Sequence, residues 1–198
     1  MIFGGIVAAA KAAVSVVSSA FTPVIKEVVE IGIEVLKLTV DIIEGLAKKL
    51  GLIEEEEETE DLGDRALQAE EAGHKPEDFA NYDQYLYFIR DFELDPEKSD
   101  ELSEEEKLAK GLEVITSRIE DKLDTKMDEL VIEVAKNPEF YNEDRLEKYV
   151  TKFKEEGLSL NEIASDDSEI DDIKFEVEKE LNPELNDMEI YDLINQRD

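Results

Sequence analysis

The chain has no cysteine, no tryptophan and a single histidine, His74, in 198 residues. Without a thiol there is no disulfide, no cysteine nucleophile and no thiolate metal site, and the redox compartment stays open. One histidine gives zinc too few nitrogen and sulfur ligands. It lies in the loop-forming run Ala72-Gly73-His74-Lys75-Pro76, and no motif around it supports a Ser–His–Asp arrangement. Basic residues are also scarce, with 22 Lys and Arg facing 54 Asp and Glu for a net charge of −32. That charge favours solubility and repels nucleic acid, anionic membrane surfaces and further copies of the chain, so a basic protein or a counter-ion cloud is its natural complement. Alternating β-branched runs between turns are absent, and no sheet is expected. Gly4-Gly5 has neither a preceding strand nor a Gly-Lys-Ser/Thr ending, so no phosphate loop and no cofactor are expected.

What is present is charge, and it is unevenly spread. Charged residues make up 38% of the chain, against about a quarter in an ordinary domain. Residues 1–52 hold five lysines and five acids, whereas residues 53–198 hold 49 acids against 17 basic residues, which is the whole of the −32. The border is the run Glu54 to Glu58, with Glu60, Asp61 and Asp64 behind it. This divides the chain into an apolar helical arm over 1–52, an acidic connector over 53–64 and an acidic helical domain over 65–198.

In the arm, polar residues recur at Lys11, Ser15, Ser18, Thr22, Lys26, Glu30, Glu34, Lys37, Asp41, Glu44 and Lys48. They span 37 residues in ten steps, or 3.7 per turn, which is helical periodicity with only a narrow polar stripe. Pro23 marks a first turn and Thr22 a cap, which predicts either two helices, over 6–20 and 23–50, or one kinked helix. A helix that is apolar nearly all round must be covered. Val24, Val28, Val29, Ile33, Leu36, Val40, Ile43, Leu46 and Leu50 are therefore the expected partner-binding residues, docking onto other subunits in a homo- or hetero-oligomer.

From Ile2 to Ile25 the only charge is Lys11, and at 1.5 Å per residue the span is long enough for a bilayer. Lys11 near its middle costs about 2.5–3.5 kcal/mol on insertion scales, and Ala, Ser and Gly add little transfer energy. An oligomer would suit such a segment better than a lone span. Ile2, Phe3, Ile6, Val7, Val14, Val16, Val17 and Phe21 are the candidates for membrane insertion. Met1-Ile-Phe carries no basic n-region, so a conventional cleavable signal peptide is not expected, and a cytoplasmic or particle-bound protein is.

The acidic part reads as short helices. Ser103 with Glu106 and Ser159 with Glu162 fit the capping box, and Asn186 with Glu189 is similar. Core-spaced apolar groups follow at Phe79–Phe92, at Leu108–Val134, at Leu146–Phe153, at Ile170–Leu181 and at Met188–Ile194, separated by proline and glycine. Among so many acids, close carboxylate pairs arise by chance, and no acid here stands alone in an apolar run where burial would raise its pKa. Asp91, Glu93, Asp95, Glu97 and Ser99 imitate a calcium loop, but Pro96 replaces the required glycine and Leu102 the twelfth-position Glu. Phe153 to Ala164 resembles the turn of helix-turn-helix DNA-binding domains over about a dozen residues. Ser165 to Lys179 carries seven acids and two lysines, however, so a recognition helix there would repel phosphates. The sum is an all-α, non-catalytic component of a larger assembly, with no metal and no nucleic acid. The alternatives are a membrane-active protein, or an acidic mimic that binds a basic partner.

Overall fold

Pro23 opens α1 (Pro23–Ile31) where the sequence places it, its missing N–H costing no bond in a first turn. Thr22 is extended ahead of it, but the expected side-chain cap does not form; the Thr22 backbone N–H donates instead to Glu113 Oε1 at 3.2 Å. The helix expected over 23–50 is divided. Gly32, at φ +134°, interrupts it in a conformation that a Cβ disfavours, and α2 (Ile33–Lys49) continues beyond. The computed structural model describes residues 22–165 and 167–195, and among these all regular structure is helical, with ten α-helices, two 3-10 turns and no strand. The helix expected over 6–20 lies outside the described residues.

The remaining helices are α3 (Thr59–Glu71), α4 (Tyr82–Arg90), α5 (Pro96–Glu101), α6 (Glu104–Leu123), α7 (Asp128–Lys136), α8 (Glu143–Glu155), α9 (Ser168–Leu181) and α10 (Asp187–Asn195). The Ser103–Glu106 capping box starts α6, and the Ser159–Glu162 box starts the 3-10 turn Leu160–Ala164. Asn186 Oδ1 accepts from the Met188 and Glu189 N–H groups. The apolar run from Leu108 to Val134 is two helices rather than one, because Asp124 turns left-handed at φ 48°. The connector is also shorter than the charge pattern suggests: α3 begins at Thr59, and Leu62, Gly63 and Asp64 are buried.

The expected outside neighbour of residues 24–50 is supplied by the same chain. α2 packs against α1, α6, α7 and α8. Val28, Leu36, Ile43 and Leu46 are fully buried, Val29 and Val40 nearly so, and Val24, Ile33 and Leu50 are half-buried against the same core. Residues 22–52 are thus the centre of the domain, not an arm beside it. The apolar stripes of α6, α7 and α8 need a covering surface as much as α2 does, and one hydrophobic cluster satisfies both. Fully burying such aliphatic side chains is worth about 1.5–3 kcal/mol each.

Two contacts fix how the acidic helices join this centre. Helices α3 and α6 cross so closely that a Cβ on Gly63 would sit 1.8 Å from the Lys107 carbonyl oxygen, and one on Gly111 would sit 2.0 Å from that of Thr59. At the start of α3, Glu44 from α2 accepts from the Thr59 N–H at 3.0 Å and from its hydroxyl, and it holds Lys48 at 2.7 Å. A side chain from another helix therefore caps α3, doing the work usually left to a local N-cap residue.

Candidate functional site

Several concavities mark the surface of the described residues. The first, a cleft of about 570 Å³ between the 54–58 loop, α3 and α4, is lined by Glu54, Glu56, Glu57, Glu58, Asp61 and Asp91, with Arg65, Arg90 and Tyr87. Both of its arginines are engaged. Arg90 grips Glu57 with two bonds of 2.5 and 2.6 Å, and Arg65 holds Asp61 at 2.7 Å while donating to the Phe92 carbonyl at 2.6 Å. The other carboxylates face solvent beside the Tyr87 ring, which is 65% exposed.

The second, of about 310 Å³, lies between α3, α4 and α6. Its floor is Lys110, a buried lysine whose Nζ sits 2.5 Å from Glu70 and 2.7 Å from Glu113. Burial alone would lower the Lys110 pKa, but Glu113 and Glu70 outweigh it and raise it above the usual lysine value. Tyr82, at the wall, donates to the Val114 carbonyl at 2.9 Å, and burial pushes its pKa well up. The third concavity, about 770 Å³ between α1–α2, α7 and α10, is more apolar and is lined by Ile31, Val35, Ala135, Phe140 and Leu193.

The nine residues expected to bind a partner line none of these except through their neighbours Ile31 and Val35; six are in the core, and Val24, Ile33 and Leu50 are half-buried against it. The residues expected to enter a membrane lie outside the described residues. No described helix is long and apolar enough to cross a membrane. Among the described residues no three His, Asp or Glu side chains converge to hold a metal, and Asp95 and Pro96 of the calcium-like run cap and open α5. The helix-turn-helix-like joint is α8, Gly157 at φ 73° and a five-residue 3-10 turn whose Leu160 and Ile163 are buried, so no full helix follows the glycine directly.

Two acids, Asp64 and Glu178, are buried rather than on the expected solvated faces. Glu178 is fully buried, where Arg145 Nη2 donates to it at 3.2 Å, Tyr149 Oη at 2.9 Å and Asn182 Nδ2 at 2.9 Å. These bonds fill its lone pairs and tie α8 to α9, a structural use of the group. No family model, curated protein or solved structure matches the chain.

Proposed function

We propose that the protein is a non-catalytic component of a multi-subunit assembly that meets its partners through its acidic face, and that the partner at the cleft of Glu54, Glu56, Glu58, Asp61 and Asp91 is a basic protein. One observation carries this reading. Most of the scarce lysines and arginines are already bound inside the chain, among them Lys37, Lys49, Arg65, Arg90, Lys107, Lys110, Arg118, Lys122 and Arg145. The surplus carboxylates are left to find cations elsewhere, and the exposed Tyr87 ring beside them suits a lysine or arginine side chain.

The earlier ground for assembly, the greasy circumference of residues 24–50, no longer supports it, since the chain covers that surface itself. What supports an apolar contact is the edge of α1 and α2, where Ile31 is 44% and Leu38 48% exposed, together with the composition of residues 1–21. That contact is the second reading, and its occupant is another subunit.

Calorimetric titration of the full chain with an arginine-rich peptide tests the first. The expected result is saturable binding that weakens steeply with salt and is lost when Glu54, Glu56 and Glu58 are all replaced by Gln. Equal binding by that triple variant would overturn the assignment of the cleft. Light scattering of the full chain beside Ile31→Asp/Leu38→Asp, with and without lipid vesicles, tests the second. One unchanged mass throughout would remove the apolar contact.

A further inference from the structure

We propose that the apolar groove between α1–α2, α7 and α10 is covered by the chain's own residues 6–21, which fold back along α1 onto Ile31, Val35 and Leu38. The inference goes beyond the second reading above, which needs the same edge. With this segment in place, another subunit reaches Ile31 and Leu38 only by displacing it.

The groove is an unfinished piece of the core. Ile31 and Leu38 are large aliphatic side chains left nearly half in water. Val35 and Leu38 stand three apart on α2 and so share a face, and Ala135 from α7 and Leu193 from α10 complete the walls of a space of about 770 Å³. The apolar surface continues toward the start of α1. Val24 is half-buried and lies seven residues before Ile31, on the same face of that helix. An apolar track therefore leads from Thr22, where the described residues begin, to the groove about 12 Å away.

Length, pattern and charge single out the occupant. Residues 6–21 read as a helix of about 24 Å, twice the distance needed. In that helix Val7, Val14, Val17 and Phe21 recur at steps of 7, 3 and 4 and make one bulky stripe, with Ala8, Ala12, Ser15 and Ser19 on the far side. Running back from Thr22, Lys11 comes level with Ile33, eleven residues away in either direction, beside exposed Glu34 and the groove's exposed Glu139. Residues 1–21 hold no acid, so their one charge meets charge of the opposite sign. A second copy brings −32 against −32. Residues 196–198, Gln-Arg-Asp, are polar and too few to fill the space. A segment tethered at Thr22 is also present at an effective concentration on the order of millimolar, which a separate molecule must match.

The absence of cysteine allows a single nitroxide to be attached to the full chain at Ser15→Cys, with Ala12→Cys as a second position. Paramagnetic broadening of the amide NMR signals then reads proximity. From both positions, the amides of Val35, Leu38, Lys136 and Leu193 should lose most of their intensity, and dilution should not restore it. Adding Ile31→Asp/Leu38→Asp should abolish the broadening without disturbing the core, because both side chains are exposed. No broadening at the groove from either position, or broadening that survives the two aspartates, would overturn the proposal. So would equal broadening of a spin-free, isotope-labelled chain by a spin-labelled one, which would give the groove to a second copy. The second reading of the function fails on a different result, an unchanged mass in light scattering.

Discussion

Replacing Gly63 by alanine gives a test whose sign is decided by tertiary structure alone. In an isolated helix the change is favourable by about 1 kcal/mol, since glycine is the weaker helix former. In the fold, the new methyl would meet the Lys107 carbonyl oxygen at 1.8 Å and the Gly111 nitrogen at 2.7 Å. Ordinary contact begins near 3.4 Å, so α3 and α6 must part by about 1.6 Å. Both obstacles are backbone, and no side chain can rotate to relieve them. A gap of even 0.5–1 Å forfeits about a quarter to a half of the dispersion energy along a contact, and overpacking typically costs about 1–3 kcal/mol. We expect a net loss of about 2–3 kcal/mol, which for a domain of this size lowers the melting temperature by about 4–12 °C. Thermal unfolding followed by circular dichroism reads it directly. Gly45→Ala is the control. Its methyl meets only the side chain of exposed Glu143, whose nearest atom is Cβ at 3.0 Å, so a neutral or slightly stabilising effect is expected. If Gly63→Ala also melted at or above the parent, α3 and α6 would not cross at their glycines and the packing described above would be refuted.

Two further outcomes follow from the same core. Leu36→Ala should destabilise the chain by about 2–5 kcal/mol in urea while leaving its mass in light scattering unchanged; a change of mass without a change of stability would return Leu36 to an outer surface. Glu44→Ala should cost about 1–2 kcal/mol by leaving the Thr59 donors uncapped. Burial works to raise the Glu44 pKa, but the bonds from Lys48 and Thr59 outweigh it and hold it below the usual carboxylate value. Its contribution is therefore present above the unfolded carboxylate pKa and is lost as pH falls through the depressed one. The difference between parent and Glu44→Ala in denaturant midpoint should shrink in that acid range, and a constant difference down to pH 2 would refute the role of the charge.

Much of the fold was legible because its signals are local. Ser103 with Glu106, Ser159 with Glu162 and Pro23 each act within one helical turn, and each starts an element where the sequence places it. Apolar spacing likewise found the buried faces of α4, α6, α8 and α9. What escaped depends on which helices meet. Gly63 and Gly111 read from sequence as weak helix formers, and only their crossing makes them indispensable. Gly32 lies in an unbroken apolar rhythm that gives no hint of a break. Residues 24–50 show their greasy circumference plainly, yet nothing local says whether the cover comes from this chain or another, and α6, α7 and α8 supply it from far along the sequence. The cavity floored by Lys110 was invisible for the same reason. Lys110 reads from sequence as a solvated lysine, and only the meeting of α3 and α6 buries it between Glu70 and Glu113.

The central place of α2 bears on how the molecule is made. Its sequence is complete by residue 49, but the helices that cover it end only at Glu155, roughly a hundred residues later. At about 5–20 residues per second, a ribosome takes on the order of 5–20 s to deliver them. Until α6, α7 and α8 have all followed, this apolar helix lacks most of its cover, so a nascent-chain chaperone, or the acidic residues emerging behind it, must keep it from aggregating until α8 arrives.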